Sequence, residues 1–457
     1  MARTYDLTHG KVSKLILAFF FPMLFTSLLQ QAYTIADTII VGKGLGDDAL
    51  AAVGNMGPLS FLIMGFTMGL TNGFSVSIAH KYGSRDFDGL RKAIACAIKL
   101  SVFIAVVVTF ISVVALKSIL IILNTSDDIM KDSLIYGYII FGGLFSTIAY
   151  NLCSAILRAL GDSKTPLMAI IASSIINVAL NCITVFAMGT GVEGPAAATI
   201  ASQIVSTLIC LSRLRQIDII SLCKEDFEQD LSMYALLLKN GIAMAIMNSV
   251  TAVGSMVVQY FVNTLGLVYT SAYSACMRIL NLFMDPSCTA GFTMSSFASQ
   301  NFGAKKYDRI KEGLKVCLSI SFVSYITLGS LMIFIPKVLA RTMLNGADSI
   351  QVCGEFLPIC GIFIIFLNCL FVFRSGVQGM GYPLFPMLSG ILEMIMRISV
   401  IILFTDALGF KATAFASVAA WLGALLLNGS AFIAILQKKL REQKKQDYIE
   451  IDESFLL

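Results

Sequence analysis

From its N-terminus onward the chain alternates long apolar runs with short polar turns. Runs such as Val102 to Leu116 and Ile359 to Phe373 are continuous, without the short alternating segments of an outer-membrane barrel. A membrane-crossing helix needs about 20 apolar residues. The pattern predicts twelve: 14–41, 49–78, 93–116, 132–157, 166–187 and 195–214, then 235–262, 270–298, 313–336, 352–376, 384–405 and 412–436. Glycine or charge marks the turns between them, as in Gly42 to Asp48, Arg158 to Thr165 and Gly379 to Pro383. The longest polar stretch between spans, Arg213 to Ser232, sits mid-chain where a connector belongs. The expected organisation is an N-lobe over 1–214 (helices one to six), a connector over 215–234, a C-lobe over 235–436 (helices seven to twelve) and a charged tail over 437–457. The fold class is an all-α polytopic membrane protein.

Composition narrows the function classes. Of 457 residues 57% are apolar and 13% charged, against about 25% charged in a soluble domain. Mean hydropathy is +0.82. This excludes a soluble enzyme, a disordered chain, a coiled coil and a disulfide-stapled domain. The eleven cysteines form no C-x-x-C pair and read as reduced core residues. His9 and His80 are too few and too far apart for a metal cluster or a catalytic triad. Neither H-E-x-x-H nor G-x-S-x-G occurs, so a membrane-embedded enzyme lacks its nucleophile or metal. No cleavable signal peptide precedes the first span, and no cofactor, catalytic residue or nucleic-acid partner is expected.

The bases set the orientation. Of 33 Lys and Arg, 24 fall on the side holding both termini, the region 213–239 around the connector and the loops 79–92, 158–165, 300–315 and 374–383. Six fall on the other side, and Lys99, Arg278 and Arg397 lie within spans. Basic loops stay cytoplasmic, so both termini are expected inside a plasma-membrane protein, as a monomer.

The halves repeat at an offset of 220 residues. Ile78 to Lys92 (IAHKYGSRDFDGLRK) lies over Ala298 to Glu312 (ASQNFGAKKYDRIKE), and Leu157 to Pro166 over Val377 to Pro386. Gly46 meets Gly266, Gly83 meets Gly303, and Gly161 meets Gly381. Near the end of each half the offset slips to 218, matching Gly191 with Gly409 and Ala198 with Ala416. Six helices per half make the repeats parallel, an arrangement transporters use to hold substrate near the midplane.

These turns resemble the multidrug and toxic compound extrusion (MATE) family over nearly the whole chain. Its segments are similar to Gln300 to Gly313 (QNFGAKKYDRIKEG), Ala36 to Gly54 (ADTIIVGKGLGDDALAAVG), Leu157 to Pro166 (LRALGDSKTP) and Gly191 to Ser202 (GVEGPAAATIAS). The resemblance implies two six-helix lobes in a V, alternating access by rocking, and export of amphipathic, often cationic drugs or metabolites driven by inward Na⁺ or H⁺.

A charge within a span is a functional-site hypothesis by default. Asp37 has no base of similar depth in its half except Lys43 at the outer turn, so it can take up a proton or bind a hard cation through oxygen. Asn177 and Asn181, four apart, share a helix face near the depth of Asp37. With Thr199 they compose an oxygen-lined cation site, and by resemblance these four match the family's N-lobe ion site. Where relatives often carry a second carboxylate, this chain has Asn181. Gln30, Tyr136 and Asn151 match polar cavity positions of relatives, and Pro22 matches a helix-one proline linked to bending, since proline removes a helical bond. In the second half Glu393 and Arg397 are spaced to pair, and Asp285 has Arg278 two turns away. These four either neutralise one another or form a C-lobe ion or substrate site. The competing transporter class, a lipid-linked saccharide flippase, calls for an arginine-lined cavity and often fourteen spans. Small-molecule substrates and membrane lipid are the partners either class implies.

Overall fold

The structure is a computed structural model that describes residues 6–122, 125–228 and 230–456, with side chains to 445; residues 1–5 and the tail's last side chains lie outside it. Every regular element among the described residues is helical. In chain order these are α1 (Val12–Leu45), α2 (Asp47–Asn55), α3 (Gly57–Gly83), α4 (Phe87–Ile122), α5 (Asp127–Gly142), α6 (Leu144–Ala159), α7 (Lys164–Cys182) and α8 (Glu193–Arg215). The second half gives α9 (Leu231–Thr264), α10 (Leu267–Gly303), α11 (Tyr307–Ser324), α12 (Ser330–Phe334), α13 (Pro336–Arg341), α14 (Ala347–Gly379), α15 (Leu384–Leu408) and α16 (Lys411–Leu456).

Ten helices are long and apolar enough to cross a membrane, eleven if α5 and α6, bent by 42°, count as one. The 37-residue α10, which carries Arg278 and Asp285, is not among them, so twelve spans are not reached by length and composition. The bend is at Gly143, where a β-carbon would lie 2.3 Å from Ile200 of α8; glycine there admits the neighbouring helix. Single π-helical turns follow α7 at Ile183–Ala187 and α11 at Tyr325–Gly329. The tail from 437 continues α16 rather than forming a separate segment.

The chain forms two compact units, one of Phe19–Ala245 with the N-terminal residues to Asp6, the other of Leu7–Ala18 with Ile246–Leu457. In the first, Phe74, Leu90, Ile156 and Leu157 anchor the core. In the second, Tyr273, Phe356, Phe410 and Trp421 do so, with the Tyr273 and Phe356 rings edge-on at 5.9 Å. Burying such side chains inside a lobe leaves Val102, Phe110 and Ile402 exposed, the distribution a lipid solvent allows.

The repeat is written into the backbone. Gly46 and Gly266, Arg85 and Lys305, Gly161 and Gly381, and Gly189 and Gly409 all take positive φ, each pair 220 apart. Arg85 and Lys305 do so without being glycine, at φ 59 and 56, a conformation costly for L side chains. The last pair corrects the expected slip. Gly189, not Gly191, corresponds to Gly409; the two-residue difference lies between that glycine and the start of the next helix, at Glu193 and Lys411.

One element escaped the sequence pattern. The segment before α1 is held on the turn after α10. Gln300 accepts from the Leu7 N–H at 2.9 Å, Lys306 donates to the Thr8 carbonyl at 2.9 Å, and Arg309 donates to the carbonyls of Gly10 at 2.8 Å and Leu7 at 3.2 Å. The chain passes from one unit to the other between Ala18 and Phe19 of α1. Pro22, inside that helix, cannot donate to the Ala18 carbonyl four residues back.

Candidate ion-coupling site

The site lies within the first unit, where the second half of α1 meets α7 and α8. Gly44 makes that approach possible: a β-carbon there would lie 2.2 Å from Val185 in the π-helical turn after α7. Such turns recur at functional sites. One helical turn before it, Asn177 and Asn181 are fully buried. The Asn181 amide nitrogen donates to Asp37 Oδ1 at 2.5 Å and to Asn177 Oδ1 at 2.8 Å. Asp37 is half-buried and forms no ion pair among the described residues; Lys43 is exposed and does not reach it. Both amide hydrogens of Asn181 are spent, so Asn181 Oδ1 and Asn177 Nδ2 are buried with no hydrogen-bond partner.

Thr199 bonds back to the Pro195 carbonyl at 3.0 Å and lies near the Tyr33 side chain. Tyr33 and Tyr136 are within electrostatic range of Asp37. The structure therefore brings Asp37, Asn177, Asn181, Thr199 and Tyr136 together. It adds Tyr33, whose signal in the sequence is its position one turn before Asp37. Gln30 lies elsewhere: it is exposed, seven residues and so about 10 Å along α1 from Asp37. Asn151 is half-buried on α6, with no side-chain bond to this group.

The second unit's charges regroup. Glu393, 2% exposed, accepts from Arg374 of α14 through one oxygen; its other oxygen lies 3.5 Å from Arg397, which also donates to Ser255 at 3.2 Å. Arg374 was expected in a cytoplasmic loop and is instead a buried helical residue. Arg158 is likewise inside α6, donating to Ser154 and to Asn72 Oδ1 at 3.1 Å. Arg278 does not join the group: it is exposed on α10 and has no ion pair among the described residues. Asp285 is half-buried before Pro286, with Cys288 within electrostatic range of both Asp285 and Arg374.

The sequence itself matches a known family. The MatE family model matches residues 22–183 and again 243–403. The chain belongs to the MatE family. The paired match coincides with the 220-residue repeat, and membership makes the chain a membrane transporter rather than an enzyme. It is 28% identical over 335 residues to the probable multidrug resistance protein YoeA of Bacillus subtilis (strain 168), covering 72% of each chain. It is 26% identical over 417 residues to YpnP of the same organism, a probable multidrug resistance protein, covering 90% of this chain and 92% of that one. Its fold matches an outward-facing multidrug resistance MATE transporter with a TM-score of 0.89 at 21% identity, over 96% of this chain and 99% of the other.

Proposed function

We propose that this chain is a cation-coupled antiporter that exports amphipathic, often cationic drugs or metabolites by alternating access, with Asp37, Asn177, Asn181 and Thr199 binding the coupling Na⁺ or H⁺. The observation that carries this reading is a half-buried carboxylate with no ion pair among the described residues, set against two buried amides. As they stand, Asn181 donates to one oxygen of Asp37 and to Asn177 Oδ1, leaving Asn181 Oδ1 and Asn177 Nδ2 without partners. A half-turn of the Asn181 amide presents Oδ1 to Asp37. Two facing oxygens repel unless a proton or hard cation sits between them. In that state the Asn177 amide, turned over in the same way, can donate an N–H to Asn181 Oδ1, and the cation lies between the Asp37 and Asn181 oxygens. A cation moves the conformational equilibrium only by binding one state better. Pro22, at the point where α1 leaves one unit for the other, is the place for helix one to yield. Relatives named multidrug resistance proteins support the cargo class.

The flippase alternative gains little: Arg374 and Arg397 are both engaged by Glu393 and do not line an open diphosphate site. In proteoliposomes under an imposed Na⁺ or H⁺ gradient, Asp37→Asn is expected to lose gradient-driven dye export and substrate-induced ion flux while still binding dye. Export equal to that of wild type sinks the assignment.

A further inference from the structure

The first unit carries a large trench outside the site just described. Its volume is about 1010 Å³, and α4, α6, α8 and the connector residues 217–222 line it. Ile98, Ala105, Phe145, Leu152 and Leu211 represent its wall. Three hydroxyl side chains of the helices also belong to the wall, but none offers a polar surface. Ser101 and Thr109 have their oxygens covered, and Thr207 is spent on the carbonyls of Gln203 and Ser146. Val102, Val106 and Phe110 along its edge are exposed, which in a membrane-crossing helix means facing lipid.

Polarity gathers at one end. There α8 ends at Arg215, and the connector supplies Ser221 beside buried Ile217 and Ile220. Two other bases nearby are committed, and Lys224 is exposed outside the lining. Arg213 lies 3.3 Å from Asp162, and Lys99 donates to the Phe227 carbonyl and sits over its ring. Arg215 is exposed and forms no ion pair among the described residues. The acids closest in sequence, Asp218 and Glu225, are exposed, and their carboxylates bind none of the trench residues. The α6 wall from Phe145 to Ile156 is about 17 Å of helix, just over half of a ~30 Å hydrocarbon core.

We infer that this trench is a seat for one anionic phospholipid, its acyl chains along α4, α6 and α8 and its headgroup phosphate at Arg215. A long apolar wall with a single cation at one end fits a molecule that is apolar along its length and anionic at its tip. It disfavours the cationic cargo proposed above, which Arg215 repels. Because residues 217–222 form part of the wall, the lipid also braces the connector between the two halves. The seat is independent of the ion-coupling assignment.

The chain's single tryptophan, Trp421, is in the second unit, which gives a clean reporter. In a Trp421→Phe background, Phe145→Trp places the fluorophore in the trench wall, and Ile402→Trp places one on an exposed face of α15 to sample bulk lipid. Each is reconstituted in phosphatidylcholine bilayers with chain-brominated phosphatidylglycerol, and in the reciprocal mixture. At position 145 the anionic quencher is expected to be favoured about fivefold, the worth of one basic residue at an anionic membrane surface, and at 402 not at all. Adding Arg215→Gln should abolish the preference and Arg215→Lys should keep it. Arg215 is exposed, so folding tolerates both. Equal quenching by the two lipids at 145, a preference that survives Arg215→Gln, or the same preference at 402 overturns the seat. Relief of quenching by a cationic dye with no preference between lipids assigns the trench to cargo instead.

Discussion

Glu393 offers the sharpest test of how the second unit handles charge. Its carboxylate is 2% exposed and engages Arg374, itself 8% exposed, while Arg397 lies 3.5 Å from its other oxygen. Glu393→Gln keeps the shape and removes the charge. Two arginines then share a buried site with a neutral amide, and the guanidinium nitrogens Nε of both already lack partners. Breaking one side of a buried ion pair costs about 3–5 kcal/mol. In a unit of this size 1 kcal/mol moves the melting midpoint by about 2–4 °C, so Glu393→Gln should lower it by roughly 10 °C. Trp421, buried in the same unit's aromatic core, reports the transition by its emission.

The decisive comparison is the double variant Arg374→Met with Glu393→Met. It removes equal and opposite charges and leaves one arginine without a carboxylate, Arg397 with its bond to Ser255, where Glu393→Gln leaves two. The double should therefore be at least ~2 kcal/mol more stable than the two single effects added together, the coupling expected of direct partners. If it also transports, the cluster is a structural clamp; if it folds and does not, the second unit carries a transport site. A Glu393→Gln midpoint within about 2 °C of wild type, or strict additivity in the cycle, refutes the ion-pair reasoning.

Other parts of the molecule give their own expectations. Gly73→Ala places a β-carbon 2.4 Å from the Gly241 Cα and 2.5 Å from the Asn240 carbonyl oxygen, so α3 must back away from α9 and the 2.9 Å Asn240–Ser77 bond suffers; about 1–3 kcal/mol should be lost, read as a lower melting midpoint, while Gly54→Ala, with open space around it, should not lower it. Arg309→Ala removes three hydrogen bonds that hold residues 7–10 and Asn301, and hydrogen exchange over 7–12 should speed at least tenfold. Lys81 at 2.6 Å and the Gly89 N–H hold the Asp86 carboxyl below the usual carboxylate range. A carboxyl lowered in the folded state contributes stability that is full above its unfolded value near 4 and is lost as pH falls through its folded value. Asp86 is 42% exposed, so Asp86→Asn should cost under ~1 kcal/mol at pH 7, and its deficit in thermal midpoint should vanish in acid.

The fold was legible because lipid-facing helices advertise themselves by hydropathy and repeated turns by their glycines. Hydropathy could not see past an arginine. Placing Arg158 and Arg374 in loops treats any base near a span's end as an aqueous residue, yet both continue their helices and bond within the protein. The partner of Arg374 is Glu393, 19 residues away on another helix, which no local spacing rule reaches. The i,i+4 rule found Arg397, the weaker partner by distance. The hold on residues 7–10 was invisible for the same reason: it joins positions about 300 apart, and most of its acceptors are backbone carbonyls, which carry no sequence signature.

The candidate ion site was more legible than the charge cluster because its parts lie at fixed depth on few helices, where spacing translates into geometry. What geometry adds is the consequence of having Asn181 in place of a second carboxylate. One carboxylate loaded with one proton or one Na⁺ is neutral, whereas two carboxylates with a single monovalent cation keep a net negative charge. Moving an uncompensated charge through the low-dielectric part of a membrane protein is costly, so a site with one carboxylate and two amides is cheapest to reorient when fully loaded and dearest when empty. That difference is what an exchanger needs to avoid leaking its ion gradient, and under the proposed coupling it rests on Asp37 alone carrying the charge and on the Asn177–Asn181 pair adjusting its hydrogen bonds to whether that charge is met.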